Sequence, residues 1–120
     1  MSEDQLRYLL SSLMDMIDGI RSCALISTEG LIVQSILEAD VSELKIAAMS
    51  ATILSTCERV LLELKQGDLD VCIIQGSDGN FVVMNAGESL ILVTVLELDA
   101  RMDICFIEMR KVANKIKALS

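Results

Sequence analysis

The chain has 120 residues, 52% of them hydrophobic, with one tyrosine, two phenylalanines and a formal net charge of −8. That length buries a core without help from disulfides or metals, and the composition excludes disordered, collagen-like and low-complexity classes. There is no histidine, which removes the commonest general base and metal ligand, and 18 acids against 10 bases is the opposite of what nucleic acid or an anionic membrane attracts.

Residues 1–120 read as a single domain, with no proline, no Ser/Gly-rich linker and no internal repeat. Leu6, Leu9, Leu10, Leu13 and Ile17 recur at helical spacing and predict a first helix over Glu3–Asp18, capped by Ser2 and stopped at Gly19. Cys23–Ser27 and Leu31–Ile36 read as strands joined at Gly30. Asp40, with Glu43 three residues on, predicts the cap of a long helix from Val41 to about Gln66, ended by Gly67. Three more strands follow, Leu69–Gln75, Phe81–Asn85 and Leu90–Leu96, with glycine-containing turns between them. The last helix spans about Arg101–Leu119. Because the later strands are apolar on both sides, the sheet must be covered on both faces. The order α-β-β-α-β-β-β-α therefore predicts an α+β sandwich. One antiparallel five-stranded sheet carries the central helix on one face and the terminal helices on the other.

Catalytic constellations are missing. The chain has no phosphate loop, no GxGxxG and no GxSxG, and its paired acids fall at helix ends and strand starts, where solvated surface carboxylates belong. Cys23, Cys57, Cys72 and Cys105 are scattered without a CxxC. They read as small buried hydrophobes in a reducing compartment, so neither a metal nor another cofactor is expected. The N-terminus is acidic and lacks the apolar core of a signal peptide. The longest uncharged stretch, Ile46–Cys57, is too short to cross a bilayer. A cytoplasmic protein without direct membrane insertion is expected.

The central helix carries more apolar surface than one fold needs. Lys45, Thr52, Thr56, Arg59 and Glu63 form its only clear polar stripe. Leu44, Ala48, Ala51 and Leu62 lie on one side of the helix, and Ile46, Met49, Ile53, Cys57, Val60 and Leu64 lie nearly opposite. One half packs on the sheet, and the other is expected to meet a second copy of the helix across a two-fold axis. The alternative is that the third helix covers it. The flat strand Leu69–Gln75 would invite aggregation if left open, and pairing with its symmetry mate would close it. The expected dimer interface is therefore Ile46, Met49, Ile53, Cys57, Val60 and Leu64 with Leu69, Val71 and Ile73.

The chain resembles the Roadblock/dynein light chain domain family over essentially its whole length. The resemblance rests on the first helix, on Cys23–Val33 with its Ser27-Thr28-Glu29-Gly30 turn, and on the Ala-rich helix Ile46–Ala51. It continues through Gly67–Val71, Leu90–Leu96 and the helix bearing Glu108–Lys111. The resemblance implies the Roadblock/longin/profilin-like topology and homo- or heterodimers formed through the central helix and the third strand. It also implies a non-catalytic platform for Ras-like small GTPases, as in a bacterial polarity regulator, the lysosomal Ragulator scaffold and the dynein light chains. One branch stimulates GTP hydrolysis without an arginine finger. The partners expected are thus a second copy or a paralogue and a Ras-like GTPase, with no nucleic acid. The alternative reading is a structural dimerisation subunit of a motor or scaffold assembly that does not sense nucleotide. A third reading, a cysteine-dependent enzyme, lacks a histidine to activate its thiol.

Overall fold

A computed structural model describes residues 2–119. Helix α1 covers Glu3–Met16, and its first turn is closed by a reciprocal cap. Ser2 Oγ accepts from the Gln5 amide while the Gln5 side chain accepts from the Ser2 amide. The helix stops two residues earlier than its periodicity predicts, because Ile17 is already extended. Strands β1 (Ile20–Ser27) and β2 (Ile32–Ile36) form the first hairpin. Helix α2 runs Glu43–Glu63, followed by β3 (Val71–Gln75), β4 (Gly79–Asn85), β5 (Leu90–Glu97) and helix α3 (Met102–Leu119). The strands lie in the order β2-β1-β5-β4-β3, antiparallel throughout, so the expected α+β sandwich is the fold.

Alternation along the strands splits the core in two. Leu25, Met84, Leu92 and Leu96 face the terminal helices, where they meet Leu10, Leu13, Met109 and Ile116. Ala24, Ile26, Val83, Ile91 and Val93 face the other way, onto Ala47 and Leu54 of α2. The near-continuous apolar runs of β1 and β5 follow from this double cover.

Both ends of α2 differ from expectation. Its cap is Ser42, whose hydroxyl accepts from the Lys45 amide, and Asp40 lies outside the helix in the preceding turn. The serine wins because only the residue next to the first helical turn can reach the free amides two and three positions on. At the other end the chain leaves the helix at Lys65, the one non-glycine described residue with positive φ (57°), and not at Gly67. The Gln66 amide donates to Leu61 O and the Lys65 amide to Leu62 O, which is the Schellman arrangement with lysine where glycine is usual. Lys65→Gly relieves the clash of a Cβ in this conformation, offset in part by a looser unfolded chain. The variant is expected to be about 0.5–1 kcal/mol more stable, read as a rise in the urea midpoint at constant slope.

Two glycines set the hairpins, one by a close backbone approach and one by its positive φ. A Cβ on Gly79, at the start of β4, would lie 2.7 Å from the backbone oxygen of Leu96 on β5, so no side chain fits there. Gly30, at φ 91°, sets the β1–β2 turn against α2, where a Cβ would stand 3.6 Å from Ala51 Cβ. Ala51 thus faces the protein's own hairpin, and Ala47 packs against the sheet.

Candidate functional site

Helix α2 does not lay one of its two apolar halves on the sheet. It rests on the seam between them, through Ala47, Ser50 and Leu54, and Ala47 and Leu54 meet the sheet residues of the second core cluster. The reason is volume: two small residues and one leucine let the helix settle close to the small Ala24 and the valines beneath it. The Ser50 hydroxyl is buried there without a hydrogen-bond partner among the described residues. Lys45, Thr52, Thr56, Arg59 and Glu63 consequently point straight out to solvent. Apolar side chains emerge along both flanks. Met49, Val60 and Leu64 stand on one, and Leu44 and Leu62, each more than three-quarters exposed, on the other.

The first flank continues onto β3, which is an edge strand paired only with β4. Ile73 and Ile74 are 44% exposed, one on each face of the strand's outer end. Between helix and strand runs an open groove of about 520 Å³, lined by Cys57, Val60, Leu61, Leu69, Val71 and Ile73 with Asp68 and Asp70 at its rim.

Of the residues singled out from the sequence, Met49, Val60 and Leu64 are exposed on the helix flank, and Ile73 is exposed on the other face of β3, the side of Val71 and the terminal helices. Ile46, Ile53, Cys57, Leu69 and Val71 are half-buried. Ile53 and Leu69 pack partly on the α2 side of the sheet, and Val71 partly on the opposite side. Leu69 precedes β3, which is two residues shorter at its start than predicted. Sequence reasoning set Leu44 and Leu62 against the sheet, whereas both face solvent. It also missed Ile74. The signal for Ile74 was present, since a strand apolar on both faces at a sheet edge leaves both faces of its outer end uncovered.

The start of β3 is anchored from the opposite layer. Arg110 of α3 donates through both terminal nitrogens to the Asp70 carboxylate, and the Asp70 carbonyl accepts from the Asn85 amide. The hydrogen bond from Arg110 holds the Asp70 carboxyl below its ordinary value, with a smaller charge contribution from Lys117. A depressed carboxylate contributes stability above its unfolded value, and that contribution is lost as pH falls through the folded one. Stability should therefore decline on acidification below about pH 4, with Asp70→Asn flattening that limb slightly. Asp70 is mostly exposed, so the difference is under about 1 kcal/mol, measured by urea unfolding across pH.

This fold and this exposed helix–strand face define a class of small α+β domains. The Roadblock/LC7 domain profile matches residues 6–96, and the chain belongs to that family. Two uncharacterized proteins of Methanocaldococcus jannaschii, MJ0310 and MJ1340, are each 29% identical over 102 residues, covering 85% of this chain and 89% of theirs. Among solved structures, a Roadblock/LC7 domain from Streptomyces avermitilis superposes with a TM-score of 0.86 at 19% identity, covering 91% of this chain and 92% of that one. Myxococcus xanthus MglB superposes with a TM-score of 0.90 at 9% identity, covering 96% and 94%. An MglB in a tetrameric arrangement gives 0.85 at 16% identity, covering 95% and 86%. These likenesses establish the shared fold.

Proposed function

We propose that the chain acts by contact, as a non-catalytic dimeric platform that binds and regulates a Ras-like small GTPase in the cytoplasm. The observation that carries the reading is the exposed apolar face formed by Met49, Val60 and Leu64 of α2 beside the unpaired edge of β3. A second copy, or a paralogue with the same face, would cover the helix flank and pair the strand edge in one step. The family to which the chain belongs and the tetrameric arrangement of an MglB with the same fold support association of this kind. The lack of histidine supports a role through binding. To regulate a GTPase, the platform must bind one nucleotide state more tightly than the other, since equal affinity shifts nothing.

Sedimentation equilibrium of the purified chain tests the dimer. Capture from lysate of its source, in excess GDP and again in a non-hydrolysable GTP analogue, tests the partner. A Ras-like GTPase retained mainly with one nucleotide supports the reading. Retention of only a paralogue or scaffold protein, alike in both nucleotides, favours a structural dimerisation subunit.

A further inference from the structure

Two of the four cysteines meet. Cys57 stands near the end of α2 and Cys72 on β3, and the Cys57 thiol donates to Cys72 Sγ at 3.4 Å. Both are half-buried, and both line the groove between helix and edge strand, which is open to solvent. Cys23 and Cys105 differ: each is fully buried in the opposite core layer. Burial pushes the Cys23 thiol up to about 12, and its hydrogen goes to the Leu10 carbonyl. The geometry therefore separates two inert thiols from two that are adjacent and reachable.

We propose that Cys57 and Cys72 form a reversible dithiol–disulfide site, oxidised by a small-molecule disulfide such as oxidised glutathione to an intrachain bond that ties α2 to β3. Cys57 loses its proton and its thiolate attacks one sulfur of the small disulfide, displacing one glutathione thiolate. Cys72 then loses its proton and attacks Cys57 Sγ, which breaks the mixed disulfide and releases the second glutathione. The two departing thiolates take up the two protons. Two protein thiols and one small disulfide thus become one protein disulfide and two glutathiones, and excess reduced glutathione runs the exchange backwards.

The sulfurs are already in place. Their separation is about 1.4 Å longer than a disulfide bond. Burial, and then the Cys57 thiol beside it, push Cys72 up to about 11, so it stays protonated in the resting pair and must give up its proton before it resolves the mixed disulfide. The new bond would close the segment that contains the end of α2, the Lys65 turn and the entry to β3. It would constrain the unfolded chain and make helix and strand move together.

The test uses the full native chain, equilibrated in glutathione buffers from reduced to oxidised, quenched with acid, alkylated and weighed intact. The expected product is about 2 Da lighter than the reduced chain before alkylation and carries two alkyl groups instead of four after alkylation in denaturant, with a raised melting temperature, all reversed by dithiothreitol. Arg59 and Lys65 lie between the two cysteines, so trypsin should yield their two fragments joined. Cys72→Ser, lacking the resolving thiol, should instead keep one glutathione on Cys57. Four free thiols after the oxidising buffer would overturn the proposal. So would glutathione persisting on the native chain, or chains linked to one another on a non-reducing gel. The pair shares its groove with the proposed dimer face, so the oxidation rate is followed across protein concentrations. A rate that falls with concentration supports both readings; an unchanged rate leaves the redox site standing and counts against coverage of the groove in a dimer.

Discussion

Val60→Asp is expected to yield a folded monomer. Val60 is half exposed on the outer flank of α2 and borders the groove to β3. In an isolated chain the new carboxylate stays in water, so the substitution costs only helix propensity, well under about 1 kcal/mol. Across a two-fold axis it would place two unpaired carboxylates in an apolar contact, at a cost of several kcal/mol. That corresponds to a loss of dimer affinity of about a thousandfold or more, read by sedimentation equilibrium, with a melting temperature at low concentration close to that of the parent. Thr56→Asp, on the solvent-facing polar stripe one turn away, should leave the dimer intact. A Val60→Asp chain that dimerises as tightly as the parent would remove this flank from the interface. Ile53→Asp is less informative, because Ile53 packs partly on the sheet and its replacement damages fold and assembly together.

Leu92→Ala should produce the largest loss of stability among simple truncations. Leu92 is fully buried on the central strand β5, opposite Leu25 of β1 and Met84 of β4. It sits under the terminal helices, where no neighbour can collapse into the space without breaking the sheet ladder. The cost expected is about 3–4 kcal/mol, the lost transfer of the side chain plus the cavity left behind. That is a large share of the ~5–15 kcal/mol that holds a domain of this kind, so the melting temperature should fall by roughly 10–20 °C. A fall of only a few degrees would mean that the core is loosely packed at its centre.

The architecture was legible in the sequence because it rests on local signals. The leucine spacing of α1, the glycine turns between strands and the doubly apolar runs of β5 each follow from short-range rules, and every predicted element is present. Positions decided by geometry beyond the local window were harder to read. Asp40 and Ser42 both have the chemistry of a helix cap, and only the path of the chain selects the serine. Lys65 occupies a conformation that no sequence rule assigns to lysine while Gly67 stands two residues away. The width of the apolar surface on α2 was evident, but not which arc would meet the sheet. Hydrophobicity favours the leucine-rich halves, whereas close packing favours the narrower seam of Ala47, Ser50 and Leu54. The meeting of Cys57 with Cys72 was invisible, because it depends on how the helix lies across the edge strand and not on any spacing between them.

The pairing of β1 with β5 joins Ile20–Ser27 to Leu90–Glu97, segments from opposite ends of the chain. The β1–β2 hairpin and the β3–β4–β5 meander are local, whereas the seam between them requires closing a long loop, which costs more chain entropy. Helix α2 is made before the seam, yet it rests on Val83, Ile91 and Val93, which lie beyond it. The helix flank and the strand edge therefore come together only after the last strand has been synthesised. A nascent chain lacking β5 lacks the support on which this composite surface is assembled.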